Sequence, residues 1–175
     1  LPKNLLAVRS IFASLAAGAA VVPIDPNAPP ARIARMLANA RPCRFITTQQ
    51  LAETLAASTT DETSPTICLD STEDWDRLTK GVPTLAAPVE IGADSPAVFY
   101  YTSGTTGDPK AIVLTHENVT SFTMWAIEHL RLSAEDRFAS HAPLHFDLTT
   151  LDLYAAIRLG ASTVLLDHIA VRFPA

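Results

Sequence analysis

The amino-acid sequence predicts an α/β fold with mainly parallel strand pairing. Short apolar, β-branched runs such as CRFIT, TICLD, AVFYYT, AIVLT and STVLL recur along it. Segments with apolar residues at helical spacing separate many of them. Gly, Pro, Asn and Asp cluster at the joins, as turns between such elements require.

Taken in order, residues 4–17 place Leu5, Leu6, Val8, Ile11, Phe12 and Leu15 on one helical face, and Gly18 follows where a C-terminal cap belongs. The run AAVVPID predicts a buried strand ending in a turn, and PPARIARMLANA a helix that opens with proline. CRFIT predicts a strand, residues 48–57 a helix and TICLD another strand. From Ser71 to Ser95 a short helical patch gives way to a Pro-rich connection, and 71–95 is the best internal boundary. Strands are expected at AVFYYT and AIVLT, a helix at about 117–130 and a short strand at RFAS. A helix after Asp147 and the strand STVLL complete the set.

The 175 residues, 48% hydrophobic and 18% charged, match a soluble globular domain. A formal charge of -5 and scattered Lys and Arg offer no basic face, so nucleic acid is not an expected partner. The most apolar stretch, IFASLAAGAAVVPI, falls short of the ~20 residues of a membrane span and is interrupted by Gly18 and Pro23. The opening LPKNLL has no signal-peptide pattern, and a cytoplasmic setting is expected. Cys43 and Cys68 lack CxxC spacing and read as reduced core residues, a redox role being the alternative. The abrupt ends point to a piece of a longer chain.

The densest chemistry lies in YYTSGTTGDPK at 100–110. Glycine at 104 and 107 permits backbone with positive φ, so amide N–H groups can converge on an anion. The hydroxyls of Thr102, Ser103, Thr105 and Thr106 add donors, and Lys110 adds a mobile cation. The loop is not a Walker A sequence, because Pro109 precedes the lysine and Ala111 follows it. A polar surface loop is the competing reading of composition alone.

The order YTSGTTGDPK, continuing into AIVLTHENV, closely resembles the phosphate-binding signature of the AMP-forming ligase superfamily. That superfamily contains acyl-CoA synthetases, luciferases and the adenylation domains of nonribosomal peptide synthetases. Ala111 departs from the glycine most members carry after the lysine. LAAGAAVVPIDPNAPPARIARML resembles the family's proline-rich turn segment, and HAPLHFDLTTLDLYAAIRLGASTVLL its substrate-pocket segment. The resemblance implies that residues 1–175 are part of the large N-terminal domain, with parallel sheets flanked by helices, and that the small C-terminal domain is absent.

It also implies chemistry. The family joins a carboxylate to ATP, releases pyrophosphate and passes the acyl group to a thiol. Thr102, Ser103, Gly104, Thr105, Thr106, Gly107 and Lys110 would cradle the phosphates, with Mg²⁺ bridging their oxygens and Lys110 in the catalytic role. An aspartate after phenylalanine in the pocket segment pairs with a substrate α-ammonium in amino-acid-activating members, so Phe146-Asp147 implies an amino acid substrate. Helix capping is the alternative role for Asp147, and core packing for Phe146. Leu148 and Leu151 fall on the expected pocket side. His141 and His145 are not expected to hold a metal, since Pro143 separates them and no third ligand is near; His116, at a helix start, is read as structural.

The implied acceptor is the phosphopantetheine thiol of a carrier protein, and the remainder of the adenylation domain would supply adenine contacts, a magnesium-binding glutamate and the C-terminal lysine. The isolated chain is therefore expected to be inactive. The alternatives are an acyl-CoA synthetase for a fatty or aryl acid, and a non-catalytic nucleotide-binding remnant.

Overall fold

Two residues, Gly18 and Pro23, govern how the first helix delivers the chain to the sheet. In the computed structural model, which describes residues 1–56, 65–82, 89–103 and 109–166, α1 spans Leu5–Ala16 with the Asn4 side chain capping its first turn. Gly18 follows at φ 79°, and the amides of Gly18 and Ala19 reach back to the carbonyls of Leu15 and Ser14. The chain then runs extended past Val21, whose N–H and C=O bond to Ala97 and Phe99 at 2.9 Å each. This is a single parallel bridge to Val98, not the strand expected over AAVVPID. Pro23, with no N–H to donate, follows immediately after Val22.

Prolines 29 and 30 then start α2, Pro30–Ala40, which ends with Arg41 in the left-handed region. β1 (Phe45–Thr47) pairs in parallel with β2 (Thr66–Cys68), and α3 (Gln49–Ala56) leaves the end of β1. A capping box between Ser71 and Asp74 opens α4, Thr72–Thr79. β3 (Pro96–Ser103) and β4 (Pro109–Thr115) form an antiparallel ladder from Pro96↔Thr115 to Ser103↔Pro109. Thr115 caps α5, His116–Leu130, through a second box with Asn118. β5 (Arg137–Ser140) pairs in parallel with β6 (Ser162–Leu165).

Pairing is thus parallel in two sheets and antiparallel in the third among the described residues. The expected helix after Asp147 is a π-helical turn, Thr150–Ala155, continued by the four-residue α6, Ala156–Leu159. None of these helices is long and apolar enough to cross a membrane.

The core forms where α1, the Val21 bridge, β3, α5 and the π-helical turn meet. Val21, Ala97, Val98, Tyr100 and Val119 are buried there, with Ile11, Leu15, Leu114 and Tyr154 packed against them. Each such apolar side chain contributes about 1.5–3 kcal/mol when fully buried. Phe12 meets Tyr154 with ring centroids 5.1 Å apart, and burial pushes the Tyr154 phenol well above its usual range. The cysteine expectation needs correction: Cys43 is exposed, because it lies in the loop between α2 and β1, and Cys68 is half-buried. Burial first, then the carboxylates of Asp70, Glu53 and Asp74, push the Cys68 thiol up. The connection at 83–88 within the expected 71–95 boundary lies outside the described residues.

Asp152, on the π-helical turn, is only 9% exposed, and its Oδ2 has no hydrogen-bond partner among the described residues. Burial raises its carboxyl pKa; Ser140, His141 and Lys3 oppose the rise. The fold therefore binds this proton more tightly than the unfolded chain does. The resulting stability is present below the ordinary carboxylate pKa of about 4 and is lost as pH rises through the folded value.

Two outcomes follow. A methyl group at Gly18 would lie 3.1 Å from Cγ1 of Val89 in a backbone conformation that side chains rarely adopt. Gly18→Ala should therefore cost about 1 kcal/mol or more and lower Tm by several degrees, read by thermal denaturation. Asp152→Asn should gain stability relative to the parent as pH rises from about 4 to 8; urea titrations across that range check it, and a pH-independent difference would contradict the burial argument.

Candidate functional site

The β3–β4 hairpin sets the geometry of the site. Directly opposed residues of an antiparallel pair share a face, and so do residues two apart along each strand. Tyr100↔Ile112, Thr102↔Lys110 and Val98↔Leu114 therefore form one face of the ladder. Tyr100, Thr102, Ile112 and Leu114 open onto a cavity of about 730 Å³. Lys110 shares this face at the loop end and is exposed. The expected donors Gly104, Thr105, Thr106 and Gly107 lie outside the described residues, as does the Ser103 side chain; the backbone of Ser103 pairs with Pro109 and so fixes where residues 104–108 depart and return.

Opposite the hairpin stands the proline-rich turn. Asp25 Oδ1 accepts the amide N–H of Asn27 at 2.9 Å and closes the turn, after which Pro29 and Pro30 launch α2. Pro23, Asp25 and Arg32 line the cavity from this side. The Tyr101 hydroxyl donates to Asn39 Oδ1 at 2.6 Å, which ties β3 to the C-terminal end of α2.

The third wall is the segment between β5 and the π-helical turn. Phe146 N–H donates to Pro143 O at 3.0 Å and Thr150 N–H to Asp147 O at 2.9 Å, so tight turns bend the chain at both residues. His145, Phe146 and Asp147 line the cavity. The Asp147 side chain caps no helix: the residue before the π-helical turn is Thr149, which makes no side-chain cap. Among the described residues no hydrogen bond or ion pair engages its carboxylate. Phe146 is 51% exposed, which argues against core packing, and its ring lies 5.0 Å from that of His145. Leu148, 61% exposed, and half-buried Leu151 are not among the residues lining the cavity.

Sequence reasoning read the proline-rich turn as chiefly structural, yet Asp25 and Arg32 flank the cavity and act on His145. The available signal was the placement of opposite charges on either side of a proline cluster. Burial lowers the His145 pKa, Arg32 lowers it further and Asp25 raises it. His141 is exposed outside the cavity, and among the described residues no cluster of three His, Cys, Asp or Glu is arranged to hold a metal.

This arrangement sets an exposed carboxylate, an apolar ring and a hydroxyl-bearing hairpin end around one cavity large enough for a small organic substrate. The AMP-binding enzyme family matches the chain over residues 1–175. The chain belongs to that family. An L-proline–[L-prolyl-carrier protein] ligase of Pseudomonas fluorescens is 36% identical over 171 residues, covering 95% of this chain and 34% of the ligase. A dimodular nonribosomal peptide synthase of Bacillus subtilis is 33% identical over 174 residues, 99% of this chain and 7% of the synthase. The structure of VinN in complex with L-aspartate superposes with a TM-score of 0.84 at 26% identity, over 97% of this chain and 43% of VinN. As an AMP-binding chain it thus spans about a third of the length of the ligase it resembles.

The electrostatics of the cavity are open to direct test. Arg32→Met should raise the His145 pKa and Asp25→Asn should lower it, read from the histidine ring signals in an NMR titration; shifts in one direction for both variants would contradict the geometry.

Proposed function

We propose that these residues belong to the large domain of an enzyme that activates an amino acid as its aminoacyl-AMP and passes it to a carrier-protein phosphopantetheine thiol. In the first step a carboxylate oxygen of the substrate bonds to the α-phosphorus of ATP as the bond to pyrophosphate breaks. One observation carries the reading: the carboxylate of Asp147, without a partner among the described residues, borders the same cavity as Thr102, at the end of the hairpin that carries the phosphate-loop sequence. An ammonium group placed against that carboxylate would gain charge-assisted hydrogen bonds, and an acid without an amino group would not.

The donor set fits a nucleotide polyphosphate. Thr102 and Lys110 are cross-strand partners on one face, with SGTTGDP between them. Hydroxyls, glycine amides and an ammonium are the groups that stabilise charge developing on departing pyrophosphate. Mg²⁺ would neutralise part of the phosphate charge when bound. Phe146 would pack against the substrate side chain, and Leu148 and Leu151 stay assigned to the pocket side as part of the proposal. ATP and an acylated carrier domain fit a cytoplasmic setting. The curated relatives named above, a carrier-protein ligase and a peptide synthase, support the substrate class.

The test is ATP–pyrophosphate exchange by the complete polypeptide with pools of amino, fatty and aryl acids. Exchange should depend on amino acids and fall by about 10²-fold or more in Asp147→Ala, the scale for removing one partner of a close charge pair that the bound substrate would form. The 175-residue chain alone should give no exchange. Exchange only with fatty or aryl acids, insensitive to Asp147→Ala, would assign an acyl-CoA synthetase, and silence with every pool a non-catalytic nucleotide-binding protein.

A further inference from the structure

Lys3 has no part in the reading above, yet it makes the longest-range side-chain hydrogen bonds among the described residues. Its Nζ donates to the carbonyl oxygens of Ser140 at 2.5 Å and Ala142 at 2.7 Å, 137 and 139 positions away. Those carbonyls sit where β5 ends and the chain leaves the sheet for the cavity. Ser140 O also receives the Leu166 amide at 3.0 Å. Ser140 and Ala142 are both buried, so their carbonyls need donors that water cannot supply.

Burial lowers the Lys3 pKa, and the charge of nearby Asp152 opposes that fall without cancelling it. Among the described residues the Ser140 hydroxyl and Asp152 Oδ2 meet no partner at hydrogen-bonding geometry, so the surroundings are polar and incompletely satisfied. From Ala142 the chain passes to Pro143, whose carbonyl accepts the Phe146 amide, and then to Asp147. A clamp at Ser140 and Ala142 thus fixes one end of the turn that carries the cavity-lining residues. The π-helical turn beginning at Thr150 fixes the other.

We propose that Lys3 is a positioning residue for the substrate pocket: by holding the Ser140 and Ala142 carbonyls it sets the placement of Phe146 and Asp147, and thereby the affinity for the amino acid. The inference rests on the function proposed above. Among the described residues the Lys3 ammonium hydrogen-bonds to Ser140 and Ala142 and not to the β3–β4 hairpin, so the ATP side is left alone. A displacement of about 1 Å at a substrate-contacting group can cost up to 10²-fold.

Lys3→Met keeps the aliphatic stem and removes the ammonium; Lys3→Arg restores a cationic donor. In the complete polypeptide, amino-acid-dependent exchange should show KM for the amino acid raised about tenfold or more in Lys3→Met, with KM for ATP within about twofold of the parent and most of the loss recovered in Lys3→Arg. A fall in kcat alone, or equal rises in both KM values, would mark Lys3 as merely structural and overturn the proposal. Hydrogen–deuterium exchange of residues 141–150 gives an activity-independent reading: faster exchange there in Lys3→Met, with α5 unchanged, supports the clamp, and unchanged exchange overturns it. Should Lys3→Met fail to fold, Lys3→Gln, which keeps a neutral donor, is put through the same two measurements. A parent that exchanges with no amino acid defeats the proposed function, and the exchange of residues 141–150 then decides the clamp separately.

Discussion

The antiparallel ladder between β3 and β4 is the constraint on which the candidate site depends. Its register, Thr102 opposite Lys110 and Ser103 opposite Pro109, fixes where the glycine-rich segment begins and ends. Along the same ladder Tyr100, Thr102, Ile112 and Leu114 share the face towards the cavity, and Tyr101 reaches it from the other face. A slip of one residue would turn that face inside out. Burial of Val98 and Tyr100 at the core end of that same face guards the register, because a slip would turn them away from Val21 and Val119.

The other two walls are held to this hairpin by few but specific contacts. Val21 bridges β3 through two hydrogen bonds, and Pro23 then frees the chain to turn through Asp25 towards α2. Tyr101 fastens α2 to the back of β3 through Asn39. The segment bearing Phe146 and Asp147 is suspended between the end of β5 and a π-helical turn, an irregularity common at functional sites. Asp147 uses its carbonyl locally, for the Thr150 amide, and among the described residues its carboxylate has no partner.

The features most legible in the sequence were those governed by local rules. Periodicity and capping residues placed α1, α2 and α5, and Gly18 was identifiable as the residue after a helix end. The strand expected at AAVVPID shrank to one bridge because proline removes the next donor, a rule that was itself visible in the sequence. The π-helical turn was not legible, since its pattern of apolar residues does not differ from that of an α-helix over so few positions. Cys43 misled because the strand expected over CRFIT begins only at Phe45, which leaves the cysteine in the loop before it. Around the cavity, Thr102, Phe146 and Asp147 had been singled out by motif, whereas Asp25, Arg32 and Lys3 act across long sequence separations that no local pattern encodes.

The central claim is that Asp147 recognises the α-ammonium of an amino acid. Its most direct test compares binding of a non-hydrolysable aminoacyl-adenylate analogue with that of its counterpart lacking the amino group, by calorimetry on the complete polypeptide and on Asp147→Asn. The account predicts that the amino analogue binds the parent about 30-fold tighter or more, a difference of about 2 kcal/mol, and that this preference collapses in Asp147→Asn. Equal affinity of the parent for the two analogues would contradict it.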